Sequence, residues 1–210
     1  MAGARQIRVR GGAHLTAAFA LGAAVPSTLT GRTDVVDTRG ETWSLVGQAP
    51  GGQPPRLLAP TAPPGPDPGR GPVVVYLDLL PQRSDAAVHD FLDANAHRFA
   101  GTLHLRPTGA DLVDPADAAT LGGEAAAAIR QFADRHRTVD VHLLLRCPYP
   151  VALLLGRTLN TLTLHLYEWE DGPAPDGQPP GPRYVPSLVV RSGAGGSPIQ
   201  AVTAPGATEE

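Results

Sequence analysis

Apolar positions alternate or cluster in eight short stretches that predict strands: 6–10, 33–37, 42–46, 73–79, 102–106, 139–145, 161–169 and 183–190. In 161–169 the period is two. Leu162, Leu164 and Leu166 face one way, and Thr163, His165, Tyr167 and Trp169 the other. Pro186 inside the last stretch predicts an edge or a bulge, because its nitrogen cannot donate to a ladder. "DTRGET" between the second and third stretches is a turn sequence and predicts a hairpin. Apolar residues at helical spacing predict helices over 14–25, 85–99, 115–136 and 150–159. Val88, Phe91, Leu92 and Phe99 form one stripe behind a capping Ser84. Leu121, Ala125, Ala128, Ile129 and Phe132 form another behind Asp114-Pro115, with Gly122-Gly123 as the point where that helix kinks or starts late. Strand and helix alternate from 73 to 169, the pattern of a Rossmann-like α/β sheet.

The pattern also repeats. "IRVRGGAHLTAAFALG" (7–22) aligns with "VHLLLRCPYPVALLLG" (141–156) at a constant offset of 134. Each reads strand, turn, apolar helix, Leu-Gly, and then a strand carrying a Trp. The expected fold class is therefore α/β, with two related Rossmann-like halves that form a pseudo-symmetric repeat. The repeat changes the reading of the N-terminus. Arg5, Arg8 and Arg10 before "LTAAFALGAAV" imitate a secretory signal, but a copied unit is expected to be a folded element.

Composition narrows the classes. At 42% hydrophobic residues the 210-residue chain can bury a sizeable core. Its 24 Gly and 23 Pro concentrate in 49–72, in 172–182 and after Ser192, which read as solvated connections and a flexible tail. No apolar run reaches the ~20 residues of a membrane span. A net charge of −3 leaves no global nucleic-acid footprint. All 17 basic residues are Arg, so a bound anion meets guanidinium forks rather than ammonium points. The single cysteine, Cys147, excludes an intrachain disulfide and a multi-Cys zinc site, and the seven His show no metal spacing.

In open α/β sheets, ligands bind beyond the carboxyl ends of the strands. Three predicted strands end in Arg there: Arg10, Arg106 and Arg146. The turns after Arg10 and Arg146 lead into helix N-termini, whose free N–H groups favour an anion. Gly11 and Gly12 allow close approach of a phosphate or base. The combination points to a phosphate-bearing ligand held by Arg10, Arg106 and Arg146, with Gly11, Gly12, His14, Asp78, Arg83, Cys147 and Tyr149 as further lining positions. No Walker or G-x-G-x-x-G motif supports a nucleoside triphosphate or dinucleotide cofactor. Cys147 stands at a strand-to-helix junction, where a thiol can be activated, but no His is placed as its base. It reads as structural or ligand-lining rather than catalytic, and no catalytic or metal-ligating residue is assigned.

"GGAHLTAAFALG", "ETW", "VVVYLDL", "EAAAAIRQF", "HLLLRCPYPVALLLGRTLN", "LYEWEDG" and "YVPSLVV", in this order, resemble the SAVED domain, the sensor module of bacterial antiphage systems such as CBASS and type III CRISPR signalling. The resemblance covers 7–191. It implies two fused CARF-like halves, about 1–80 and 81–191, in a sensor domain 1–191 followed by a flexible tail over 192–210. It implies a cyclic oligonucleotide second messenger as ligand, a cyclic oligoadenylate or a related cyclic tri- or tetranucleotide, bound between the halves without a cofactor. SAVED domains are usually fused to an effector, and no effector pattern is present here. The expectation is a cytoplasmic, non-enzymatic sensor that does not bind DNA or a membrane. It would signal by self-association, head-to-tail on ligand, or through a separate effector protein. A ring nuclease that degrades the messenger, and a scaffold without a small ligand, are the alternatives.

Overall fold

The structure is a computed structural model that describes residues 6–27, 31–44, 57–60, 69–82, 84–109, 113–172, 181–191 and 196–203. These residues form ten strands and four α-helices. A three-stranded sheet holds β1 (Gln6–Arg10), β2 (Arg32–Val36) and β3 (Thr42–Ser44) in that order. The other strands are β4 (Leu58–Pro60), β5 (Val73–Asp78), β6 (Gly101–Pro107), β7 (Asp140–Arg146), β8 (Thr163–Gly172), β9 (Gly181–Arg191) and β10 (Ile199–Val202). They form a seven-stranded sheet in the order β10-β9-β8-β7-β5-β6-β4. The helices are α1 (Leu15–Ala24), α2 (Ala86–Asn95), α3 (Ala118–Arg135) and α4 (Tyr149–Thr158).

Both faces of the large sheet are covered, so its central strands are apolar throughout. Val73, Val75 and Leu77 of β5 join Val141, Leu143 and Leu145 of β7 in one core with α1, α3 and α4. Val35 and Trp43 of the small sheet belong to that same core. On the opposite face Val74, Tyr76, Leu144, Tyr167 and Tyr184 pack against Ala87, Val88 and Phe91 of α2.

The repeat is physical. An offset of 134 carries Leu15–Ala24 onto Tyr149–Thr158 with both ends coincident, and Gln6–Arg10 onto the first five residues of β7. Pairing repeats as well. β1 lies parallel to β2, which runs antiparallel to β3, and β7 lies parallel to β8, which runs antiparallel to β9. The equivalent helices α1 and α4 pack directly on each other through equivalent glycines. A methyl at Gly22 would collide with the carbonyl of Leu153, and a methyl at Gly156 with the carbonyl of Phe19. Phe19 and Leu153 are themselves an offset-134 pair, so the contact is reciprocal about a pseudo-twofold axis.

The chain departs from the predicted elements at their ends. The helix expected over 85–99 is α-helical only to Asn95 and closes in a 3-10 turn, Ala96–Arg98. The one expected from 115 opens with a 3-10 turn, Pro115–Asp117, capped by Asp114 accepting from the Ala116 N–H at 2.8 Å. α3 then runs straight through Gly122-Gly123. Two strands lie where the pattern predicts connection or tail: β4, and β10 on the edge beside β9. Both are short, and all of β10 is exposed, so backbone pairing forms it without an apolar signal. The "DTRGET" hairpin is present. Asp37 accepts from the Arg39 N–H at 2.9 Å, the Glu41 N–H at 3.0 Å and Trp43 Nε1 at 3.2 Å, and Gly40 takes a φ of 88°. Pro186 marks a bulge: Tyr167 faces Pro186 while Leu166 faces Leu188, which leaves Ser187 as the extra residue.

Gly22→Ala or Gly156→Ala forces two helix backbones apart and is expected to cost about 2–3 kcal/mol, read by denaturant unfolding. Gly123→Ala, where a methyl meets no described atom within 4 Å, is expected to stabilise α3 by about 0.5–1 kcal/mol. His142 makes stability depend on pH. Burial, with His165 and Arg98 adding, pushes its imidazole down to about 3, and its Nδ1 lies 2.7 Å from the Tyr167 hydroxyl. The folded state needs the neutral ring. Its contribution is complete above the ordinary pKa near 6.5 and is lost as pH falls toward about 3. The slope from this group is up to about 1.4 kcal/mol per pH unit, and His142→Gln is expected to remove it in unfolding titrations between those limits.

Candidate functional site

Asp78, Arg106 and Arg146 are brought together at the carboxyl edge of the large sheet. β5 lies between β6 and β7, with Asp78 level with Arg146 and one register step beyond the Leu77–Leu105 pair. All three side chains point to the face covered by α2. Asp78, 2% exposed, bridges the two cations: its Oδ1 accepts from Arg146 Nη1 at 2.7 Å, and its Oδ2 lies 3.3 Å from Arg106 Nη2. Arg106 and Arg146 are 14% and 12% exposed, so solvent screens these pairs little. Arg106 is shared further. Its Nε donates to His104 Nε2 at 2.9 Å, and its Nη2 is bonded to Asp85. Burial, then the Arg106 charge, lowers the His104 pKa, in keeping with a ring nitrogen that accepts. Asp78, Asp85 and His104 offer donor atoms within 4.8 Å of one another, a set that could hold a metal ion. The Arg106 guanidinium bonds or pairs with all three and already supplies the cation.

Aromatic rings extend the row. Tyr76 lies tilted against His104 at 4.6 Å, Tyr184 stands edge-on to Tyr76 at 6.2 Å, and Trp169 edge-on to Tyr184 at 5.5 Å. Tyr76 and Tyr184 are buried under α2 and Trp169 is partly exposed, so the edge presents two guanidinium groups, balanced by Asp78 and Asp85, with an indole beside them, groups that suit a ligand with phosphates and flat bases.

The other predicted positions form a second group at the starts of α1 and α4. Arg10 ends β1, exposed, in the three-stranded sheet and outside the Asp78 network. The offset explains the separation: Arg146 aligns with Gly12, not with Arg10, because β7 runs two residues further than β1. Gly11, at φ 121°, donates to the Val36 carbonyl at 3.2 Å. A methyl at Gly12 would press on Thr38 Cγ2 at 3.1 Å. His14 is the exposed residue preceding α1, its Nδ1 3.8 Å from Glu168 Oε2. Arg83 lies outside the described residues.

Both helix starts are already engaged by the protein. Glu168 of β8 accepts from the Thr16 N–H at 3.2 Å and from the Thr16 hydroxyl, so a carboxylate from the other half occupies the positive end of α1. Ser187 Oγ lies 3.2 Å from the same hydroxyl. At α4, Pro148 and Pro150 have no N–H to offer, and the Val151 N–H is bonded to the Pro148 carbonyl at 3.0 Å. Cys147 is buried, and burial pushes its thiol up to about 12, which leaves no thiolate for nucleophilic chemistry. Tyr149 reaches across to donate its hydroxyl hydrogen to the Val36 carbonyl at 3.0 Å. Glu168, Asp85, Thr16 and Ser187 were not legible as site residues, since Thr16 and Glu168 stand 152 positions apart.

Two β-α-β-β units joined by a pseudo-twofold helix pair, with a charged row on one carboxyl edge, define a two-lobed Rossmann-like α/β domain. The chain belongs to the SAVED family, the SMODS-associated and fused to various effectors sensor domain, whose model matches residues 2–190. Solved structures agree in fold. The Acinetobacter baumannii Cap4 SAVED/CARF-domain containing receptor, solved with the cyclic trinucleotide 2'3'3'-cAAA, is 18% identical with a TM-score of 0.65, over 87% of this chain and 37% of that one. Its structure with 3'3'3'-cAAA gives the same identity and TM-score, over 87% of this chain and 38% of that one. The Moraxella osloensis Cap4 receptor is 17% identical with a TM-score of 0.57, over 87% of this chain and 36% of that one. The chain thus spans little more than a third of the Cap4 receptors it matches. No curated protein matches it. No helix among the described residues is long and apolar enough to cross a membrane.

Removing the bridging carboxylate leaves two guanidinium groups facing each other with little solvent. Asp78→Asn is expected to cost about 3–5 kcal/mol in denaturant unfolding. Glu170→Gln, in the open 3.9 Å pair with Arg183, is expected to change stability by less than about 0.5 kcal/mol.

Proposed function

We propose that this SAVED domain is a non-catalytic receptor for a cyclic oligonucleotide second messenger in cytoplasmic antiphage defence, as in CBASS. The ligand class is a cyclic tri- or tetranucleotide, with a cyclic triadenylate as the first candidate. The observation that carries this reading is the Arg106–Asp78–Arg146 row beside Tyr184 and Trp169 at the sheet's carboxyl edge. Guanidinium groups suit phosphodiester oxygens, and a partly exposed aromatic ring such as Trp169 suits a stacked base. The Cap4 receptors, solved with cyclic trinucleotides on the same fold, support the ligand class. Arg10, Gly11, Gly12 and His14 are the proposed contacts of the other half with a ligand lying between the halves, Tyr149 at the start of α4 is a contact beside them, and Arg83 is a further proposed contact. Output passes to a separate effector protein or through self-association on ligand.

Isothermal titration with 3'3'3'-cAAA, 2'3'3'-cAAA and cyclic tetra-adenylate tests the reading. One ring is expected to bind and to be recovered intact after incubation. Arg146→Lys keeps the charge but loses the two-pronged geometry, and is expected to weaken binding by about 10-fold or more. Unchanged affinity of Arg146→Lys for the ring that binds would displace the site from this row. Linear product at stoichiometric protein would make the chain a ring nuclease.

A further inference from the structure

The network at the sheet edge is internally neutral: Arg106 and Arg146 against Asp78 and Asp85. The two carboxylates are held very differently. Asp78 is 2% exposed, is bonded by Arg146 and also accepts from the Leu80 N–H at 3.4 Å. Asp85 is 32% exposed, and its described contact is with Arg106. Asp85 also stands at the position that precedes α2, where an Asp carboxylate ordinarily accepts from the second or third N–H of its own helix. Among the described residues it makes no such bond. The first turn reads Ala86-Ala87-Val88-His89, with no acidic side chain to replace it. The Asp85 carboxylate binds Arg106 instead, and its backbone, at φ −96° and ψ −12°, is helical rather than in the extended conformation of a capping residue.

We propose that Asp85 is a displaceable internal anion. In the empty receptor it occupies the Arg106 guanidinium that a ligand phosphate takes, and ligand entry frees it to cap α2 as its backbone turns from helical to extended. The proposal rests on the ligand reading above and deepens it to a regulatory contact. Phosphate and carboxylate compete for the same N–H groups, and Asp85 is the weaker-held, solvent-reached competitor. The exchange is coupled to a moving part. α2 packs through Val88 and Phe91 on Tyr76, Tyr167 and Tyr184, and Phe91 meets the last two edge-on at 4.8 and 6.5 Å. A change at the first turn of α2 is therefore felt by β8 and β9, on the side of the sheet that ends in β10.

The test uses the full chain and Asp85→Asn, which keeps a good capping side chain and removes the competing charge. Both proteins are titrated with 3'3'3'-cAAA and with inorganic pyrophosphate at low salt, and amide hydrogen exchange is followed at Ala87 and Val88. Asp85→Asn is expected to bind about tenfold more tightly than the natural chain, because no internal anion has to leave. In the natural chain, ligand is expected to slow exchange at Ala87 and Val88, and in Asp85→Asn both amides are expected to be slow before ligand is added. Equal or weaker binding by Asp85→Asn, with binding by the natural chain intact, overturns the displacement and leaves the receptor reading standing. Exchange at Ala87 and Val88 indifferent to ligand in the natural chain does the same. If neither protein binds either probe, both readings fall together.

Discussion

The contact on which the rest depends is the approach of α1 to α4 at Gly22 and Gly156. Each glycine faces a backbone carbonyl of the other helix so closely that no side chain fits between them. Helices this near are held by backbone-to-backbone packing that larger residues would prevent. The contact also fixes how the halves are related, because the two helices occupy equivalent positions in a repeated unit. Once they are locked, α1 is clamped at both ends by the other half. Glu168 meets its N-terminus, and the buried Arg157 donates to the Val25 carbonyl at 2.8 Å at its C-terminus. Anion at the positive end and cation at the negative end are the favourable pairing for a helix dipole.

The same economy governs the sheet edge. A guanidinium this little exposed is costly unless a carboxylate accompanies it, and Asp78 serves two. On the proposed reading the consequence for a sensor is direct. The edge offers guanidinium groups already oriented by hydrogen bonds, and a ligand there competes with carboxylates belonging to the protein. Affinity then depends on the difference between ligand phosphate and internal carboxylate, which is a basis for switching rather than for simple capture.

Much of the architecture is legible in the chain because it follows from local periodicity. Alternation and apolar runs mark eight strands, helical spacing marks four helices, Pro186 marks its bulge, and the 134-residue offset marks the repeat. β4 and β10 escape because they are three and four residues long, with Leu58 alone buried in β4 and every residue of β10 exposed, which leaves no pattern to read. At the site, Arg106, Asp78 and Arg146 stand out as polar residues ending apolar strands, and their convergence follows once β5 lies between β6 and β7. Arg10 stands out for the same reason, yet it belongs to another sheet.

Residue pattern alone therefore determined the elements, the duplication and the residue types available to meet an anion. Those properties depend on neighbours a few positions apart, or on similarity between two stretches. Only the tertiary structure decided which charges meet. Glu168 reaching Thr16 across 152 positions, Asp85 turning from α2 to Arg106, and the proline-blocked start of α4 are outcomes of strand order and helix packing. Electrostatic partners are chosen by distance in space, and for Thr16 and Glu168 that distance exists only after the glycine-to-backbone contact has set the two halves together.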